Sequence, residues 1–450
     1  MEYEQSYYNF YVNYDNKIIY FNGISKTAFT VNEKEHSFFQ KQFNNLSEFE
    51  AKYPTLLRFL FDNFFIKEKS FDELDYIRYR NKESVFNNSM YRITINPTLD
   101  CNFNCWYCYE EHPKGFLNKE FQDKIVKHVE YLAKRKLVRG ISLSWFGGEP
   151  LLYFDLIVQP ISLQILKICN ENELQFDNHA TTNAYCINAE MIEEFKKIKM
   201  NSFQITIDGD EERHNKIRNA KGEPSFLKII GSINAICQNI ADAHIILRIN
   251  YDDVTLKKIR SLFNCFNSDV RKKIHVNFNR VWQTVKHVDA RDEKDVENSK
   301  LLNEIINECI EMGYSISFPD DISRKFIRCY ADRYWHVEMN YDGKLFKCGI
   351  DYSEESEGEF KDDGHIEWKR EVSSTIYGRA TFENEMCVNC KLLPICLGPC
   401  SRKMSKIDRR CTSSMESLCN MKTSDLDLNK TIITYFLLQT KRFQNEILSA

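Results

Sequence analysis

From about residue 91 to residue 281 the chain alternates short β-branched apolar runs with longer amphipathic ones. This alternation restricts the fold more than any other feature. Segments 91–96, 141–146, 176–182, 203–207, 245–249 and 274–281 read as strands. Segments 121–137, 154–169, 190–199, 226–240 and 254–266 read as helices; Phe121, Ile125, Val129 and Leu132 share one face of the first. Strands alternating with helices predict βα units and a parallel sheet. Six units over about 200 residues suit a partial (β/α)6 TIM-type barrel, with a doubly wound open sheet as the competing α/β arrangement.

The flanks differ from this middle. Residues 1–90 are rich in Tyr and Phe and read as a small α+β unit: strands within 7–21 and 27–31, a helix at 53–65, then a polar linker at 80–89. Beyond about residue 320 the rhythm breaks into short segments with an acidic stretch at 353–363. The expected domains are therefore 1–90, 91–320 and 321–450. Hydrophobic residues make up 43% and charged residues 28% of the 450, as in ordinary globular proteins. The net charge of −4 predicts no nucleic-acid partner. The amino terminus lacks a basic-then-apolar signal, and no uninterrupted apolar run reaches the ~18 residues of a membrane helix. The expected location is cytoplasmic, with no membrane partner.

The sixteen cysteines are an unusual number, and in a reducing setting they stay thiols or bind metal. Most fall in two groups. In the first, Cys101-Asn-Phe-Asn-Cys105-Trp-Tyr-Cys108 follows the first strand of the alternating region, at the end where parallel α/β proteins build their sites. Three thiolates hold three irons of a [4Fe–4S] cluster and leave the fourth open to a small molecule. The competing reading is a Cys3His zinc site completed by His112. The next strand ends in Gly147-Gly148-Glu149-Pro150. Its glycines permit close backbone approach, and its carboxylate suits an ammonium group.

The triplet, with Tyr107 before its third cysteine and Gly-Gly-Glu-Pro beyond, resembles the radical S-adenosylmethionine (SAM) superfamily. That resemblance implies a partial barrel in which SAM chelates the open iron of the Cys101, Cys105 and Cys108 cluster. It implies that Gly148 and Glu149 hold the methionine amino end, with Gly147 beside them in the cofactor site, and that Tyr107 lies near the adenine. Thr206 and Arg218 would contact ribose and carboxylate, and Val281 the adenine side. Asn183, Arg248 and Asn250 are candidates for lining the site.

The second group comprises Cys329 and Cys348, then Cys387-x2-Cys390-x5-Cys396-x3-Cys400, then Cys411 and Cys419. Alone, it reads as zinc-ribbon material. With the barrel motifs it resembles a SPASM (twitch-type) domain, which implies two auxiliary [4Fe–4S] clusters. Cys329, Cys348 and Cys400 would hold the first; Cys387, Cys390, Cys396 and Cys419 the second. Cys411 rivals Cys419, or completes the first. The cysteines at 169, 186, 237, 265 and 309 read as small buried apolar residues.

The resemblance extends to peptide (RiPP) maturases and to anaerobic sulfatase-maturating enzymes. It implies reductive cleavage of SAM to a 5′-deoxyadenosyl radical that abstracts hydrogen from a precursor peptide, giving a thioether or carbon–carbon cross-link. The implied partners are a precursor peptide whose leader docks on the N-terminal unit, which resembles winged-helix-like leader-binding units, and a flavodoxin or ferredoxin as low-potential donor. One alternative is formylglycine formation; sulfatase-maturating relatives carry an Asp where this chain has Gly349, with Asp351 two places on. An alternative of another class is a non-catalytic zinc-binding interaction protein.

Overall fold

The computed structural model describes residues 2–284, 293–317, 326–349, 355–405, 418–419 and 427–449. Strands β1 (Tyr3–Gln5), β2 (Asn9–Tyr14), β3 (Lys17–Asn22), β4 (Ala28–Asn32) and β5 (Ile66–Glu68) belong to the N-terminal unit. The barrel contributes β6 (Tyr91–Ile95), β7 (Gly140–Trp145), β8 (Gln175–Thr182), β9 (Met200–Thr206), β10 (His244–Tyr251), β11 (Ile274–Arg280) and β12 (Ser315–Ser317). Four short strands follow: β13 (His336–Met339), β14 (Leu345–Phe346), β15 (Gly358–Phe360) and β16 (Ile366–Trp368). One sheet runs β12-β11-β10-β9-β8-β7-β6-β13-β14-β15-β16. It is parallel from β12 to β13 and antiparallel from β13 to β16.

The period of two within each strand explains why this sheet is an open barrel rather than a doubly wound layer. On β6, Ile93 and Ile95 are fully buried in the main core, while Arg92 and Thr94 face an internal cavity. The same split separates Leu143 from Ser144, Ala180 from Thr181, and Leu247 from Arg248. Helices cover the apolar face, and the polar face encloses a chamber. Each isoleucine so buried contributes about 1.5–3 kcal/mol.

The helices start where polar caps stand. Asn118 accepts from Phe121 N to open Lys119–Lys134, and Asn188 accepts from Met191 N to open Ala189–Lys197. The segment Pro150–Glu171 is apolar enough to cross a membrane by length and composition. Its Ile157, Ile161 and Ile165 are instead buried in the barrel core.

Two expectations change. The stretch 80–86 is no linker, because it continues the helix Glu73–Phe86, capped by Asp72. Arg78 from this helix forms an ion pair with Glu383, 2.8 Å away, so its exposed composition reflects polar contacts rather than lack of order. The segment 254–266 divides into the helix Asp253–Lys258 and a 3-10 turn, Arg260–Cys265.

The N-terminal unit has its own core, built around Tyr20, Phe39, Phe49 and Phe65. It packs against the C-terminal cysteine-rich region. Tyr8, Ile24 and Ile77 share a cluster with Phe382, Cys387, Leu393 and Leu397. Val12, Ile19 and Phe21 pack with Ile395 and Ile432, the latter on the helix Leu428–Ser449.

Candidate active site

The loop after β6 is held from several sides. The Cys101 backbone N–H donates to Asp100 Oδ1 at 2.8 Å, and the Phe103 N–H points at the Cys101 sulfur at 3.4 Å. Phe103 enters the core. Tyr107 is anchored through its hydroxyl. Its hydroxyl donates to Asp208 and accepts from Arg218 Nη1 (2.8 Å) and Asn250 Nδ2 (3.2 Å). Asp208, just past β9, also accepts from the Asn250 N–H at 2.9 Å. Burial raises the Asp208 carboxyl, while the Arg218 guanidinium and the Tyr107 hydroxyl oppose that rise. The cysteine loop is thereby tied to the ends of β9 and β10.

Cys101, Cys105 and Cys108 face one cavity of about 270 Å³. Of the residues expected at the site, Tyr107, Gly147, Gly148, Asn183, Thr206, Arg218 and Val281 line it, as do Arg248 and Asn250. Gly147 has φ +102°, and a Cβ there would stand 2.3 Å from the Thr98 carbonyl oxygen. A Cβ on Gly148 would stand 2.3 Å from the carbonyls of both Leu99 and Asp100. Only glycine lets these two loops meet.

Glu149 is buried behind the glycine pair. Its carboxylate does not line the cavity. It accepts from the Thr182 hydroxyl (2.7 Å), the Asn183 N–H (2.7 Å) and the Leu151 N–H (3.0 Å). A fully buried carboxylate needs such donors, and these take both of its oxygens. The role the structure assigns it is to pin the end of β7 to the end of β8.

Sequence reasoning missed Tyr109, Phe146 and Gln204, which also line the cavity. Strand alternation was the available signal, since Gln204 and Thr206 share one face of β9. His112 rests its Nδ1 2.9 Å from the Leu99 carbonyl oxygen. Its hydrogen bond with Cys108 lifts its pKa to about 8. Among the described residues no three His, Cys or carboxylate groups converge as one metal ion requires. The three thiols instead line one shared cavity. Burial pushes Cys101 up to about 12 and raises Cys105, so their thiolate forms require a strong cation beside them. Arg218 Nε is buried in the same place without a hydrogen-bond partner. A cationic cluster carrying an anionic ligand fits this donor set.

The late cysteines form two neighbourhoods. Burial raises Cys387, Cys390 and Cys396, and Cys419 lies close enough to all three to add to the rise. Cys329 feels Cys400, and Tyr330 feels both Cys329 and Cys348. Cys411 and Asp351 fall outside the described residues. Where Gly349 follows Cys348, the carboxylate of Glu338 on β13 occupies the space: a Cβ on Gly349 would lie 2.0 Å from Glu338 Oε1.

Residues 95–264 match the family model of the Radical SAM superfamily. The serine-type anaerobic sulfatase-maturating enzyme of Bacteroides thetaiotaomicron is 29% identical over 151 residues, which are 30% of this chain and 34% of that one. The radical SAM cyclopropyl synthase TigE of Paramaledivibacter caminithermalis is 23% identical over 341 residues, 68% of this chain and 66% of its own length. The chain spans between about a third and two thirds of the length of the curated relatives it matches. Native anSMEcpe, solved with bound AdoMet and Cp18Cys peptide, shares the fold at TM-score 0.52 and 17% identity, over 80% of this chain and 99% of that one. This chain therefore carries a radical SAM domain on a partial-barrel fold, and that family implies a [4Fe–4S] cluster and SAM as cofactors.

Proposed function

We propose that the protein is a radical SAM peptide maturase that oxidatively cross-links a ribosomal precursor peptide. The observation that carries this reading is the continuity of the barrel interior. The cysteine-lined cavity shares Tyr109, Phe146, Thr181, Gln204 and Arg248 with a second chamber that reaches Tyr330 and Glu338, beside Cys329 and Gly349. A substrate held there stands between the first cysteine group and the second.

Cys101, Cys105 and Cys108 would hold the first cluster, which with SAM bound supplies a one-electron reductive cleavage to a carbon radical. The Gly147–Gly148 backbone would receive the methionine end and the Arg218 Nε–H its carboxylate. Thr206 would meet the ribose, and Val281 with Asn183 would close the walls. Cys329, Cys348 and Cys400, and separately Cys387, Cys390, Cys396 and Cys419, would hold auxiliary clusters that take the second electron of the oxidation. Such a SPASM-type C-terminal region would receive its electrons from, or pass them to, a flavodoxin or ferredoxin. A leader segment would add as an extra strand on an edge of the β2–β3–β4 sheet.

The decisive assay is anaerobic incubation of iron-loaded protein with SAM, dithionite and the short peptide encoded beside its gene. The expected result is 5′-deoxyadenosine together with peptide lighter by two hydrogens. Deoxyadenosine without any change in peptide mass would overturn the cross-linking reading. The second reading, formylglycine formation, is favoured by one observation: Glu338 brings a carboxylate to the place beside Gly349. Conversion of a Cys-containing sulfatase peptide to the aldehyde would establish it.

A further inference from the structure

The second chamber, about 390 Å³, is walled by side chains that a βα barrel ordinarily keeps apolar. Arg92 and Thr94 come from β6, Ser144 from β7, His179 from β8, Arg248 from β10 and Glu338 from β13. Two of these are guanidiniums, charged at any working pH. The Arg92 side chain has no ion pair or hydrogen bond among the described residues, and Arg248 makes one bond, Nε to Asn250 Oδ1 at 2.9 Å. Among the described residues that line the chamber, Glu338 is the one carboxylate. Burial, with Arg92 nearby, pushes His179 down to about 4. Burial, and then Lys347, Arg92 and Arg333, hold His336 well below its ordinary value, so both rings are neutral. Lys347 is engaged by the carbonyl oxygens of Tyr334 (2.9 Å) and His336 (2.5 Å).

Among the described residues that line the chamber, two guanidiniums stand against one carboxylate, with Asp208 acting on Arg248 from outside it. An enclosed cation without a partner is costly, and closing the chamber over a neutral group would increase that cost. A carboxylate entering beside Arg92 removes it, and guanidinium geometry matches a carboxylate in a paired, two-bond contact. Thr94 and Ser144 add hydroxyl donors on the same wall. Arg92 does not line the cysteine-ringed cavity, so its charge is directed at the substrate's chamber rather than at the cofactor's.

We propose that this chamber selects a peptide bearing a carboxylate at or next to the reacting residue, with Arg92 as the group that binds it. The inference rests on the peptide-maturase reading and specifies the chemistry of its substrate. The carboxylate comes either from an Asp or Glu side chain or from a chain terminus.

Calorimetric titration of the iron-loaded full chain, with and without SAM, separates these cases. The probes are N-acetyl-aspartate methylamide, N-acetyl-alanine (a terminal carboxylate) and N-acetyl-asparagine methylamide (the uncharged isostere). With SAM bound, at least one carboxylate probe is expected to bind about tenfold or more tightly than the isostere. Arg92→Gln is expected to remove that preference and Arg92→Lys to keep part of it, with melting temperature and cluster absorbance as checks of folding. Equal binding of all three probes to the native protein overturns the proposal, without any variant. So does a preference that survives Arg92→Gln, or one that disappears when SAM binds, which would assign the guanidiniums to the cofactor's own carboxylate. Failure of native protein to cleave SAM would count against the maturase reading instead, since the titration does not depend on turnover.

Discussion

The early cysteines hang on a loop that the barrel grips through Phe103, Tyr107 and the Gly147–Gly148 contact, whereas the late ones sit among short elements that hold little core of their own. The helices Glu385–Val388 and Leu393–Cys396 have four residues each. Cys387 packs with Phe382, Leu393 and Leu397 and with Tyr8, Ile24 and Ile77 from the N-terminal unit. The first group is therefore held by barrel residues. The second also leans on a neighbouring unit. Small cysteine-rich regions commonly rely on such outside support.

That contrast can be broken by mutation. The largest effect is expected from Cys105→Ala, which should reduce 5′-deoxyadenosine formation to background in an anaerobic dithionite assay while the barrel still folds. Gly148→Ala should come next. Its new Cβ meets two carbonyl oxygens at 2.3 Å, so the loops must separate by about an ångström. A loss of about 10²-fold in SAM cleavage is expected. Tyr107→Phe keeps the ring and removes the hydroxyl that joins Asp208, Arg218 and Asn250. Leaving such buried groups short of a partner costs about 1–3 kcal/mol, so calorimetry should show SAM affinity about tenfold weaker or more. Cys390→Ala should cost about four iron atoms per chain and most of the peptide product, yet change SAM cleavage only a few-fold. Full product yield from that variant would make the late cysteines structural.

The smallest effect concerns the joint between barrel and C-terminal hairpin. His128 bridges the Tyr91 hydroxyl (3.0 Å) and the Gly364 carbonyl oxygen (2.8 Å), and burial lowers its pKa from 6.5 to about 4. The unfolded chain then binds a proton that the folded chain refuses. Its contribution to stability is present above pH 6.5 and is lost as the pH falls toward 4. Denaturant melts should show His128→Asn less sensitive to acid across that window than the native protein.

The alternation from β6 to β11 and the Cys101-Cys105-Cys108 spacing were legible because each depends on residues near one another in sequence. Periodicity assigns a face to a side chain, and a three-residue gap keeps thiols on one loop. The linker expected at 80–89 failed for the opposite reason: a polar helix looks unstructured until Glu383 appears opposite Arg78. Glu149 was placed correctly on the strand end, but the direction of its carboxylate depended on Thr182 and Asn183, some thirty residues away.

The amino-acid sequence by itself determined the barrel rhythm, the three-thiol loop and the glycine pair beside it, because these follow from local spacing and backbone freedom. Only the tertiary structure decided that Glu338 stands against Gly349, that Arg92 faces a chamber with little counter-charge, and that the N-terminal unit supports the late cysteines. Each of those depends on which distant segments share a small buried volume. Burial makes the pairing of charges there decisive, and no single stretch of sequence specifies it.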